Sequence, residues 1–133
     1  MFEDDLSLAM QAAHTLYSVG AAVKDGKVLI ESDSGWRELT DAETADVATA
    51  VADMRYQIQV AKTKQECSER ISTQWDQIGQ INAIAGIYGE VDGAACVAWI
   101  DANRVALYEL LARDDLLDID VADDQYWPVY EGS

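Results

Sequence analysis

Apolar residues recur at alternating steps of four and three along the middle of the chain. Val47, Val51, Met54, Ile58 and Ala61 open the series, and Ile71, Trp75, Ile78 and then Ile81 or Asn82 resume it. This spacing puts them on one face of an α-helix. Ahead of it, Thr40-Asp41-Ala42-Glu43 has the form of a capping box: the Thr oxygen caps the third helical N–H and the Glu reaches back to the Thr N–H. From Thr40 to about Ile84 there is no proline, and Gly79 is the only glycine. The pattern therefore predicts one long central helix. At 1.5 Å per residue it is roughly 65 Å long, more than twice the ~30 Å span of a small domain. Its stripe must be covered by another helix or by another copy, in a coiled coil or bundle. Val47, Val51, Met54, Ile58, Ile71, Trp75 and Ile78 are thus the candidate oligomer-interface positions.

The stripe weakens in the middle. Lys62 to Glu66 and Ser68 to Arg70 are polar almost all round, and the seam positions fall there on Gln65 and Ser68. Polar seam residues fix register in a coiled coil at some cost in stability. Alternatively the seam drifts, or the helix breaks in two at this point.

Before the long helix, Asp4 to Val19 reads as a first helix. Asp4 or Asp5 caps it, Leu6, Met10, Ala13 and Tyr17 share a face, and Gly20 is a natural stop. The period then changes. Ala21–Lys24 and Lys27–Glu31 are short extended runs around Asp25-Gly26, a preferred pair for a tight hairpin turn. Asp33-Ser34-Gly35 makes a second turn, and Trp36–Leu39 adds a third short strand. A meander this small is marginal alone and must pack on a helix or on a neighbouring copy.

After the long helix, Gly86 to Gly93 reads as a loop. Ala94 to Arg113 is a second helix that folds back antiparallel, with Cys96, Trp99 or Ile100, Asn103, Leu107, Leu110 and Leu111 on its buried side. Leu116 to Val121 alternates as an extended segment. The fold class is therefore mainly α: a long central helix, a small N-terminal β-hairpin or meander, and a second antiparallel helix. Three regions follow, 1–39, 40–113 and an acidic tail over 114–133. That tail carries Tyr126, Trp127 and Tyr130 around Pro128, and free tails seldom hold such a cluster. The three aromatics are expected to dock the tail against a partner or neighbouring copy.

Charge narrows the class. Twenty-five acidic residues against nine basic ones give the 133-residue chain a net charge of −16. That argues against nucleic acid or an anionic membrane as a partner, since both require clustered Lys and Arg. After Arg113 there is no Lys or Arg, while Asp114, Asp115, Asp118, Asp120, Asp123, Asp124 and Glu131 follow. Such a run is ordinarily a solvated tail; a nucleic-acid mimic is the sharper alternative. No run of eighteen apolar residues occurs, and Met-Phe-Glu-Asp-Asp reverses a basic signal-peptide opening, so a soluble protein made in a cytoplasm is expected. Cys67 and Cys96 have no CxxC spacing and read as small buried residues in a reducing compartment.

No catalytic constellation assembles from this inventory. His14 is the only histidine and has no metal-ligand spacing around it. Asp118, Asp120, Asp123 and Asp124 lack the glycine and terminal Glu of a calcium loop. No phosphate loop, nucleophile elbow or zinc pattern is present. The expectation is a protein without cofactor or metal, and not an enzyme.

The order of features carries a resemblance. A short extended module closes on Asp33-Ser34-Gly35-Trp36-Arg37-Glu38-Leu39-Thr40, with Glu43 following. The helix then carries Ala61-Lys62, Glu66-Cys67, Ile71, Asp76-Gln77 and Ile81-Asn82-Ala83, before a Trp99-Ile100 helix and a closing Trp127-Pro128. Over most of Gly35 to Pro128 this resembles small proteins and C-terminal modules encoded among the tail-fibre and baseplate genes of tailed bacteriophages. The resemblance implies long helices assembled in bundles, often trimers, and no catalytic residues. The strong acidity and the helix ahead of the extended module depart from it. The implied function is a structural virion protein in or attached to the tail fibre or baseplate, made in the host bacterial cytoplasm. It would act by self-association, as a homotrimer, and by docking onto other tail proteins. A transient fibre-assembly chaperone is the alternative, and an acidic nucleic-acid-mimic inhibitor the next.

Overall fold

The computed structural model describes residues 5–130. The protein is mainly α-helical, with a long central helix, a small N-terminal antiparallel sheet and a second helix that returns antiparallel. The order is α1 (Leu6–Tyr17), β1 (Ala21–Lys24), β2 (Lys27–Ser32), β3 (Gly35–Glu38), α2 (Asp41–Gln74), α3 (Gln77–Ile84) and α4 (Glu90–Leu111). Two 3₁₀ turns follow, Leu116–Asp118 and Asp124–Tyr126. Contacts divide the chain into two compact units, 1–57 and 58–133, with the division inside α2. The charge and pattern reading instead divides it after residues 39 and 113. Among the described residues no helix is long and apolar enough to cross a membrane.

In the first unit, α1 buries Ala9, Ala12 and Ala13, with Leu6 and Tyr17 of the expected face packed at the edge of the same core and Met10 outside it. Asp5 does not cap it with its side chain; the carboxylate pairs with Arg55 at 3.3 Å. Asp4, the other candidate cap, lies outside the described residues. The helix stops at Ser18, two residues before Gly20, where Ser18 takes the left-handed conformation (φ 53°) and donates its N–H to His14 O. The sheet has the order β1-β2-β3. Asp25 and Gly26 both hold positive φ, as a tight two-residue hairpin requires, and Lys24 pairs with Lys27 across them. Val28 and Ile30 of β2 point inward and join Ala9, Ala12, Ala13, Val47 and Val51 in one core.

The capping box at the start of α2 forms as written: Glu43 N–H donates to Thr40 Oγ1 (3.2 Å) and Thr40 N–H to Glu43 Oε1 (2.9 Å). The helix runs unbroken through Lys62–Arg70 and ends at Gln74. The interruption comes later, at Asp76, whose side chain accepts Gly79 N–H at 2.6 Å and starts α3 as a separate helix. The single helix expected from Thr40 to Ile84 is therefore two.

In the second unit, α4 begins at Glu90 rather than Ala94, with Gly89 at φ 95° as its N-cap. Gly93 is thus helical and not part of the loop. It lies against α3, where a Cβ would stand 2.8 Å from Ala83 O. Cys67 Sγ donates to Asn103 O, and Trp99 Nε1 reaches the carbonyls of Arg70 and Ile71, which fixes α4 antiparallel to the second half of α2. Cys67, Ile71, Ala83, Cys96, Ile100, Ala106, Leu110 and Trp127 form the core. Leu116–Val121 is not extended. Leu116 opens a 3₁₀ turn and is buried, because the chain must reverse after α4 to lay the tail back on the helices.

Candidate interaction surface

The structure divides the seven seam positions sharply. Val47 and Val51 are buried in the first core, with Met54 packed against it. Ile71 lies in the second core, and Trp75 packs on it. These five are covered from within one chain, by α1 and β2 in the first unit and by α4 in the second. They do not form the open seam expected of an oligomer. The physical reason is the alanine face of α1 and the return of α4, which pack directly on these positions. Ile58 (43% exposed) and Ile78 (71%) remain open.

The polar middle of α2 has a use that neither register nor a break describes. Gln65 and Ser68 are exposed, and the inward positions are Thr63 and Cys67. Gln59 donates its side-chain amide to Leu116 O and Ile119 O. Arg70 donates to Ala122 O and Asp124 Oδ1, each at 2.8 Å, and to Glu66 Oε1 at 2.7 Å. These polar groups of α2 hold the irregular tail, satisfying backbone carbonyls that no secondary structure would satisfy.

The tail aromatics dock on their own chain. Trp127 is 5% exposed, donates Nε1–H to Val121 O at 2.7 Å and lies under the Arg70 guanidinium. Tyr126 packs on the second core beneath Arg113, and Tyr130 meets Trp99 edge to face at 5.2 Å. All three anchors are therefore engaged in cis, against the expectation of a partner or neighbouring copy. Asp123 is not simply hydrated: it accepts Gln125 N–H and caps the last 3₁₀ turn. Glu131 lies outside the described residues.

The longest run of open aliphatic side chains lies along α3 and into the start of α4. Ile78, Ile81, Ile84, Ile87 and Val91 are each 61–82% exposed. Ala83 points into the core, which turns Ile81 outward and Ile84 toward α4 at 100° per residue. On α4, Ala94, Val97, Ala98 and Asp101 follow i, i+3, i+4, i+7 spacing on the face opposite Cys96, Ile100 and Asn103. Together Ile84 and this α4 face bound an open groove of about 670 Å³. Of this surface, the sequence pattern puts Ile78, and then Ile81 or Asn82, on the apolar stripe, with Ile78 alone among the interface positions. The available signal was that α4 is apolar on two opposite faces, Cys96 and Ile100 on one and Ala94, Val97 and Ala98 on the other.

Among the described residues no group of three or more His, Cys, Asp or Glu side chains comes together as a metal site would require. His14 Nδ1 lies 2.7 Å from Val19 O at the end of α1. Burial pushes the thiols of Cys67 and Cys96 above their ordinary pKa, which disfavours the thiolate. Comparison with protein-family models, with curated proteins and with solved structures finds no match to this chain.

Proposed function

We propose that this protein is a non-catalytic structural component of a bacteriophage tail, in or attached to the tail fibre or baseplate, acting by self-association and by docking onto other tail proteins. The tail context rests on the resemblance over Gly35–Pro128. The observation that supports an associating role is the row of exposed aliphatic side chains from Ile78 to Val91. Soluble monomers seldom leave so many large apolar residues together without a partner. Self-association is therefore assigned to the outer face of α3, centred on Ile81, instead of the α2 seam. A trimer is the copy number the resemblance implies.

Two measurements test this. Light scattering of the full chain should give a multiple of the monomer mass, and Ile78→Asp with Ile81→Asp should return it to the monomer. Mass spectrometry of purified particles should detect the protein in stoichiometric amounts. Its absence from particles, with binding to a fibre protein retained during assembly, would favour the transient chaperone instead.

A further inference from the structure

We infer that the groove between α3 and α4 seats the apolar face of a helix from another protein, one whose apolar stripe is flanked by Lys or Arg. This deepens the proposed docking role by assigning it a surface and a partner chemistry. Three observations carry it. The floor is low, because Gly89, Gly93, Ala94 and Ala98 present little or no side chain, while Ile84 and Val97 form apolar walls. A helix that lays i, i+3, i+4, i+7 side chains into such a channel is an established mode of recognition. Next, the lining carries Glu90 and Asp101 and neither Lys nor Arg. The two acids stand eleven residues apart on one helix, roughly 16 Å. Among the described residues neither is in an ion pair, and Arg104, three residues beyond Asp101, pairs with neither.

The third observation chooses between occupants. A second copy packed groove to groove would bring the same Glu90 and Asp101 against this acidic rim. Like charges juxtaposed at an interface are strongly unfavourable, whereas cations at the flanks of a partner helix improve its approach and fix its direction. The outer face of α3 around Ile81 bears no charge on its apolar ridge and is free of this objection.

Two designed amphipathic peptides test the assignment. They share one apolar stripe of Leu and Ala at helical spacing and differ only in Lys or Glu at the flanks. Titrated into the full chain, the Lys-flanked peptide should bind about tenfold or more tightly than the Glu-flanked one. Val97→Glu, at a position 43% exposed, should keep the helical circular dichroism signal and abolish that binding. Glu90→Lys with Asp101→Lys should reverse the order of the two peptides. Equal affinities, no binding of either, or a Lys preference that survives Val97→Glu would overturn the assignment. A fall in assembly mass caused by Val97→Glu would overturn it too, by giving the groove to a second copy. None of these outcomes decides whether the protein is present in purified particles, so the two readings fail separately.

Discussion

Arg37 of β3 grips Glu43 in the first turn of α2 through two parallel hydrogen bonds, Nη1 to Oε1 at 2.7 Å and Nη2 to Oε2 at 2.9 Å. The same Oε1 accepts the Thr40 N–H. One carboxylate thus closes the capping box and ties the last strand to the helix that follows it. The Arg37 hydrogen bonds, aided by the Thr40 amide, push the Glu43 pKa down to about 2.

That depression has a direct consequence for acid stability. Over the window from about 4.5 down to about 2, the unfolded chain takes up a proton at Glu43 and the folded chain does not. The contribution is therefore complete above the upper limit and is lost as pH falls through the lower one. Urea midpoints measured across this window should fall for the natural chain. They should fall less steeply for Glu43→Gln, which has no carboxylate to protonate. Parallel slopes would show that the pair contributes nothing at this corner.

A second prediction concerns the tail. Trp127 is fully engaged, with its ring in the core and its N–H bonded to Val121 O. Trp127→Ala should cost about 3–5 kcal/mol, the range for a large buried aromatic. It should also expose the chain after Arg113 to proteases, since the tail loses its buried ring and Arg70 the face it stacks on. Asp123→Ala removes a cap on an exposed turn and should cost only a small part of that. Equal losses in urea unfolding would mean that the cap, not the ring, holds the segment.

Local structure is legible in the sequence where it depends on residues close together. Thr40 with Glu43, Asp25 with Gly26, and the helical spacing around Cys96 to Leu110 each specify backbone geometry within one or two turns. The misreadings concern what lies across a face. Val47 and Val51 form an apolar stripe whether α1 or a second chain covers them, and only the tertiary fold shows that α1 does. Glycine ordinarily punctuates, so the spacing puts Gly93 in a loop; it lies instead inside α4, close against Ala83 O. The polar stretch that includes Arg70 reads as a weak seam because the tail groups Arg70 holds, Ala122 O and Asp124, lie more than fifty residues away.

Covered and open positions should respond differently to charge, which gives a third prediction. Val51 is 5% exposed, and Val51→Asp would bury a carboxylate with no cation beside it. A loss of about 3 kcal/mol or more is expected, with helical signal falling before any change of mass can be read. Ile81→Asp, at a position 61% exposed, should leave the fold and its unfolding midpoint nearly unchanged. Any effect should appear in assembly mass alone. Val51→Asp that stays folded but dissociates would restore the α2 stripe as an interface.

The last prediction sets two known effects against each other at Gly93. In a helix interior Gly→Ala ordinarily gains about 1 kcal/mol, because alanine restricts the unfolded chain and suits the helix. At Gly93 the added Cβ would lie 2.8 Å from Ala83 O, inside any contact that real Cβ atoms make. The obstacle is backbone, not the end of a flexible side chain. Ala83 is itself 2% exposed, and its carbonyl accepts Gly86 N–H at the end of α3, so it cannot simply turn away. Relieving the clash must push α3 off α4, and overpacking of this kind costs about 1–3 kcal/mol. The penalty should exceed the propensity gain, so Gly93→Ala should lower the urea midpoint. Amide exchange should quicken along Gln77–Ile84 more than in α4 itself. A raised midpoint would mean that the close approach of α3 to α4 at Gly93 is not required by the folded protein.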